Sequence, residues 1–218
     1  AVEAGWSLNK DLDNHTMQYG DYKVDNYAGI KTSPEVPMYQ ALAESLNLPA
    51  VATVKELGID KAFEAGERFG LDMGSVDRVL GVALGGGVET NPLQMAQAYA
   101  TFANEGLMPD AHFITRIENA SGQVIASHKN SQKRVMEKSV ADKMTSMMLG
   151  TFTNGTGFSS SPDNFVMAGK TGTTEAAFNP EYTSDQWVIG YTPDLVISHW
   201  LGFPTTDETH YLAGSTSN

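Results

Sequence analysis

With 218 residues, 41% of them hydrophobic and 18% charged, the chain is long and apolar enough for one sizeable domain around a continuous core, which excludes a disordered polymer. A net charge of −12 argues against nucleic acid or an anionic membrane surface as a partner. The absence of cysteine excludes a disulfide scaffold, a thiol nucleophile and a Cys-type zinc site.

No apolar run reaches the roughly 18 residues of a membrane span, and the opening residues do not have the form of a signal peptide. The chain opens at Ala1 without a methionine and closes in a soft tail over 213–218, so it is expected to be a piece of a longer protein.

Residues 1–35 are polar and rich in turn formers, among them Asn9, Asp13, Gly20, Asp21, Asn26 and Gly29. Tyr19, Tyr22 and Tyr27 are placed to pin this segment onto the body. A helix is expected from Pro37, with Tyr39, Leu42, Ala43 and Leu46 on one face. It should end at Asn47-Leu48-Pro49, because a proline disfavours helix just before it.

A second helix is expected over 50–57, stopped by Gly58. Asp60 then caps a third, with Ala62, Phe63, Gly66 and Phe69 inward and Gly70 as its stop. After a turn at Gly85–Gly87 comes the clearest helix signal: Thr90 or Asn91 caps it and Pro92 takes the first position. Leu93, Ala96, Tyr99, Ala100 and Ala103 form its apolar face, and Gly106 closes it.

Phe113 to Ile117 and Val124 to Ala126 alternate around Asn119–Gly122 and read as a hairpin. A further helix starts at Ser139, with Ser139 and Asp142 as a capping box and Val140, Met144, Met147, Met148 and Phe152 as its core face. A loop holding Gly155, Gly157 and Ser159 to Pro162 leads to a short buried strand, Phe165 to Ala168. Strands from Gln186 to Tyr191 and Leu195 to Phe203 follow, joined by a turn at Thr192-Pro193-Asp194. Helices first and an antiparallel sheet last make an α+β layout.

The chemistry concentrates at Lys170-Thr171-Gly172-Thr173. Gly169 and Gly172 remove side chains where the backbone must come close to something. Lys170 supplies a fixed positive charge and Thr171 and Thr173 supply hydroxyls. Such a strand suits a peptide that carries a carboxylate and needs its backbone paired. Earlier in the chain, Ser45-Leu46-Asn47 places a hydroxyl and an amide where they could face one cleft, a useful pair for acyl transfer.

Ser-x-Asn at a helix end followed by Lys-Thr-Gly-Thr on a strand resembles the penicillin-recognising serine transferases and hydrolases. Residues 87–106, 148–157 and 187–193 are similar to landmarks of the transpeptidase domain of class A penicillin-binding proteins, so the resemblance covers nearly the whole chain.

It implies an antiparallel sheet flanked by helices, five-stranded in the intact domain, with residues 1–218 forming a single domain fragment. The nucleophile helix and first strands would precede residue 1, and a last helix would follow residue 218. It further implies a D,D-transpeptidase that takes peptidoglycan stem peptides ending in D-Ala-D-Ala through a serine acyl-enzyme, binds β-lactams covalently and needs no cofactor or metal. A glycosyltransferase domain and a membrane anchor upstream would place it on the extracytoplasmic face of the bacterial membrane.

By the same resemblance, Ser45 relays a proton to the leaving amine and Asn47 holds the substrate amide. Lys170 supplies positive potential to the substrate carboxylate, with Thr171 and Thr173 hydrogen-bonding it. Gly172 is counted with Thr171 and Thr173 among the substrate-binding residues, and the Thr173 N–H is one of two oxyanion-hole donors.

The acylated serine of the family lies in Ser-x-x-Lys at a helix start. The one match, Ser7-Leu-Asn-Lys10, has polar, turn-like surroundings, and Ala1–Gly5 resembles the segment that follows the nucleophile. The serine is therefore expected upstream of Ala1, in a segment that would be this chain's partner.

A β-lactamase is set aside because no Glu-x-x-Leu-Asn supplies the carboxylate for deacylation. A module that grips stem peptides or β-lactams without turning them over is the reading from another class. The five histidines show no ligand pairing, Gly85–Gly87 is a turn and not a phosphate loop, and the methionines read as core fill.

Overall fold

A computed structural model describes residues 1–19, 22–27 and 33–213. The turn-rich opening folds into short pieces: a 3-10 turn at Val2–Ala4 and strands β1 (Asp11–Asp13), β2 (Met17–Tyr19), β3 (Tyr22–Val24) and β4 (Glu35–Pro37). β1 pairs antiparallel with β4, setting Leu12 opposite Val36, and β2 pairs with β3. Both Leu12 and Val36 are buried, so this ribbon belongs to the core.

Of the three tyrosines expected to pin it, Tyr27 is exposed instead, and the side chains of Tyr19 and Tyr22 lie outside the described residues, as do Gly20, Asp21 and Gly29. The pinning comes from Leu12 and Val24, apolar residues among the polar ones.

The helices are α1 (Met38–Ala43), α2 (Asn47–Leu57), α3 (Ile59–Arg68), α4 (Pro92–Ala103) and α5 (Lys138–Thr153). α1 starts after Pro37 as expected, but it ends at Ala43, not at Asn47–Pro49. Pro49 breaks nothing. It sits in the first turn of α2, where its missing N–H would have no intrahelical partner in any case. Tyr39, placed on the apolar face from the sequence, is exposed.

Gly58, with φ 93, is the N-cap of α3, and Asp60 lies in its first turn, where it pairs with Arg78. α4 matches its sequence signal: Asn91 Oδ1 accepts the Gln94 N–H at 3.0 Å, and Pro92 follows. α5 starts at Lys138 without the expected capping box. Asp142 is drawn to Lys138 at 3.3 Å, and Lys138 also reaches Glu105 at 2.7 Å.

Between α4 and α5, β5 (Leu107–Pro109) pairs with β8 (Gln132–Arg134), and β6 (Arg116–Glu118) pairs with β7 (Val124–Ser127). The Asn119–Gly122 turn is formed as expected, with Asn119 Oδ1 accepting the N–H groups of Ser121 and Gln123. Phe113 and Ile114 do not join the hairpin and stand exposed.

The main sheet is β9 (Ala168–Ala176), β10 (Asn179–Tyr191) and β11 (Val196–Gly202), antiparallel in the order β11-β10-β9. The strand expected over 165–168 is a correction. Phe165 is 70% exposed and Val166 78% exposed, and the strand begins at Ala168. An apolar run without alternation carries no face, and the core behind this sheet is filled from elsewhere.

Met148, Ala168 and Tyr191 form that core, with Tyr99, Phe102 and Met144 packed against them. The Tyr191 hydroxyl bonds Thr145 Oγ1 at 2.8 Å. Met147, Met148 and Phe152 are buried on α5 as the sequence implied. α1 crosses α5 so closely that a Cβ on Gly150 would stand 2.9 Å from Ala43 Cβ. Helices against an antiparallel sheet confirm the α+β class.

Since Phe165 is exposed and Met148 buried, Phe165→Ser should change unfolding free energy by less than about 0.5 kcal/mol, whereas Met148→Ala should cost about 2–5 kcal/mol. Urea denaturation of the two variants checks this, and a larger loss at Phe165 would contradict the strand boundary.

Candidate active site

The turn between α1 and α2 is built like a Schellman helix end. The Ser45 N–H bonds Leu42 O at 3.2 Å and the Leu46 N–H bonds Ala41 O at 2.9 Å. The residue at the left-handed position of such a turn is usually glycine. Here it is Ser45, with φ 55. A β-carbon in that conformation costs about 1–2 kcal/mol, which the surrounding structure must offset.

Leu46 and Leu48 do so: both are buried, Leu46 against Leu12, Val36 and Met147, and Leu48 against Val24 and Val51. With the two leucines fixed inward, Ser45 is left exposed and Asn47 half-buried at the start of α2.

Facing this turn is β9, an edge strand of the main sheet among the described residues, with Lys170 paired to Ile189, Thr171 to Val188, Gly172 to Trp187 and Thr173 to Gln186. Alternate residues of an edge strand direct their backbone groups away from the neighbouring strand. Gly169 is required by packing: a Cβ there would stand 1.9 Å from Ile189 O. The close approach inferred for Gly169 is thus to its own sheet, while at Gly172 a Cβ would meet Trp187 Cβ at 3.4 Å, an ordinary contact.

Lys170 Nζ donates to Ser45 Oγ at 2.6 Å and to Thr171 O at 2.8 Å. Burial of the ammonium pulls its pKa down from 10.5 to about 8. The chain thus brings together a hydroxyl and a cation that lie 125 positions apart.

Asn47 belongs to the same turn but points its donors elsewhere: Nδ2 bonds Asp25 O at 3.0 Å. Among the described residues no hydrogen bond links it to Ser45 or Lys170. Beside it, Asn26 accepts the Leu48 N–H at 3.1 Å and donates to Asn14 at 2.8 Å, tying the start of α2 to the opening segment. Gly172 is half-buried and Thr173 exposed.

The Ser7–Lys10 match is engaged otherwise. Lys10 pairs with Glu56 at 2.6 Å and covers the Trp6 ring, and Ser7 Oγ accepts the Asn9 N–H.

Sequence reasoning missed one side chain beside β9. Thr156, in the loop after α5, bonds the Thr171 hydroxyl through its own. Its signals were the glycine on either side, Gly155 and Gly157, which read as loop, and its place in the landmark stretch 148–157, which gave it no role of its own.

Removing the Cβ from position 45 relieves the turn, so Ser45→Gly should unfold at a higher temperature than Ser45→Ala, by an amount equivalent to about 1 kcal/mol. Differential scanning calorimetry of the pair checks this. Equal melting temperatures would mean the turn is not strained at Ser45.

Comparison with known proteins identifies the family of the chain. Residues 1–217 match the family described as the penicillin binding protein transpeptidase domain. Over all 218 residues the chain is 88% identical to penicillin-binding protein 2a of Streptococcus pneumoniae (strain D39), and it spans 30% of that protein's length. It is 37% identical over 215 residues to penicillin-binding protein 1F of Bacillus subtilis, covering 97% of this chain and 29% of the relative.

Among solved structures, PonA1 of Mycobacterium tuberculosis in complex with penicillin V superposes with a TM-score of 0.82 at 26% identity, over 99% of this chain and 61% of that one. An imipenem acyl-enzyme complex of penicillin-binding protein A from M. tuberculosis shares the fold, with a TM-score of 0.81 at 21% identity, over 92% of this chain and 52% of that one. The chain belongs to the transpeptidase domain family of the penicillin-binding proteins.

Proposed function

We propose that this domain is the supporting half of a serine D,D-transpeptidase site that acts on stem peptides ending in D-Ala-D-Ala. The observation that carries the reading is the Lys170–Ser45 bond at 2.6 Å, which sets a cation and an exposed hydroxyl together beside an edge strand. The acylated serine belongs to a Ser-x-x-Lys motif in a segment preceding Ala1, since Ser7 and Lys10 are engaged with other partners. That serine attacks the penultimate D-Ala carbonyl and the terminal D-Ala leaves as an amine. An amine of a neighbouring strand then attacks the ester and frees the serine.

In this scheme Ser45 passes a proton towards the leaving amine, and Lys170 holds it in place while offering positive potential to the terminal carboxylate. Thr171 and Thr173 donate hydrogen bonds to that carboxylate, Gly172 leaves room for the peptide, and the Thr173 N–H is one oxyanion donor. Such a donor is typically worth about 10²–10³ in rate.

The Asn47 amide uses one N–H on Asp25 O, so its second N–H and its carbonyl are the groups assigned to the substrate amide and to the lysine of Ser-x-x-Lys. β-Lactams enter as carboxylate-bearing mimics and stay on the serine. Residues 1–218 act as a single domain, completed by preceding segments that hold it on the extracytoplasmic face of the membrane. Among the described residues no helix is long and apolar enough to cross a membrane.

Lys170 also sets a pH dependence. Its pKa in the folded chain, about 8, lies below its ordinary 10.5, so it loses its proton as pH rises through 8. Acylation of the full-length protein by benzylpenicillin, followed by intact mass, should therefore decline on the alkaline side with an apparent pKa near 8, and Lys170→Ala should acylate slowly with that limb gone. Between pH 8 and 10.5 the unfolded chain binds more protons at this group, so stability should rise with pH there, and Lys170→Ala should fold normally at pH 7. A protein that never gains the adduct would leave only a binding module, and an adduct on Ser7 would move the nucleophile into this chain.

A further inference from the structure

The loop over 154–157 is pinned at both ends of the proposed site. The Thr156 N–H bonds Ala43 O, the last carbonyl of α1, at 3.1 Å. Gly155 lets the two backbones meet, since a Cβ there would stand 2.2 Å from that oxygen. From this anchored backbone the Thr156 hydroxyl reaches Thr171 Oγ1.

With Lys170 bonded to Ser45, and Ser45 two residues after Ala43, the contacts close into a ring that runs from Ala43 to Ser45, across to Lys170 and Thr171, and back through Thr156. Every hydrogen bond of the ring joins a different pair of elements: the end of α1, strand β9 and the loop after α5.

We infer that Thr156 is a positioning residue for carboxylate recognition, holding the Thr171 hydroxyl with its single proton directed outward. The inference rests on the transpeptidase reading above. A hydroxyl has one proton to give, and a carboxylate can only accept. For Thr171 to donate to a substrate carboxylate, it must receive and not give the bond it shares with Thr156. Thr156 is thus the donor in the complex, and its proton polarises the Thr171 O–H in the direction of the anion. Without Thr156 the Thr171 hydroxyl rotates freely and is no longer aimed.

The test uses the full-length protein and two probes, benzylpenicillin and its methyl ester, which differ at the carboxylate alone, charged in one and capped by a methyl group in the other. Second-order acylation constants are measured for the wild type, Thr156→Val and Thr156→Ser, together with melting temperatures. The wild type should prefer the acid. Thr156→Val should lower acylation by the acid about five- to tenfold while changing the ester much less, and Thr156→Ser should restore the preference to within about twofold. In a Thr171→Val background the Thr156→Val change should have no further effect.

Equal losses with acid and ester, or an unchanged preference in Thr156→Val, would overturn the inference and leave Thr156 a packing residue. Should Thr156→Val fold poorly, Thr156→Ala gives the same comparison. A wild type that neither probe acylates would instead bring down the transpeptidase reading itself.

Discussion

The bond between Lys170 and Ser45 is possible only because the α1–α2 turn holds a serine in a left-handed conformation. A side chain there is unfavourable, and glycine would be the cheaper residue. What keeps the turn in place is apolar: Leu46 and Leu48 are buried in separate clusters on either side of it. Burial of two leucines, at about 1.5–3 kcal/mol each, readily exceeds the cost of one strained serine. The hydroxyl is thereby fixed at the surface, opposite an edge strand, where a flexible loop would let it wander.

The rest of the molecule supports that face. α5 carries α1 on one flank, with Ala43 packed at Gly150, and the main sheet through Met148, Ala168 and Tyr191. One helix therefore sets the distance between the two halves of the site. Gly169 lets β9 lie close on β10, so Lys170 leaves a strand whose position is held by its pairing. Burial lowers the Lys170 pKa to about 8, so the side chain still carries its charge at neutral pH, but that charge is expensive. A cation that costs stability and touches a strained serine is better explained by chemistry than by folding.

Much of this was legible in the sequence, for identifiable reasons. The α4 start was readable because Asn91 and Pro92 act through local geometry. The apolar face of α5 was readable because helical spacing alone places Met147, Met148 and Phe152. Ser45 and Lys170 could be named as a pair only through their resemblance to a known family.

Other features depended on tertiary structure. Pro49 signals a helix boundary but not its side, so by sequence alone α1 extends past its true end at Ala43. Phe165 and Val166 are apolar without a buried face, and nothing local distinguishes that from a core strand. Strands of three residues, such as β1 and β4, are too short to show a period. Thr156 is an ordinary loop residue until the fold sets it against Thr171.

The central claim is that Ser45 and Lys170 act as one unit in acylation. A double-mutant cycle tests it most directly, with benzylpenicillin acylation of the full-length protein measured for Ser45→Ala, Lys170→Ala and the double variant. The double variant should be little slower than the slower single one, because either change already breaks the pair. Losses that simply multiply would show that the two side chains act independently and that their contact has no part in the reaction.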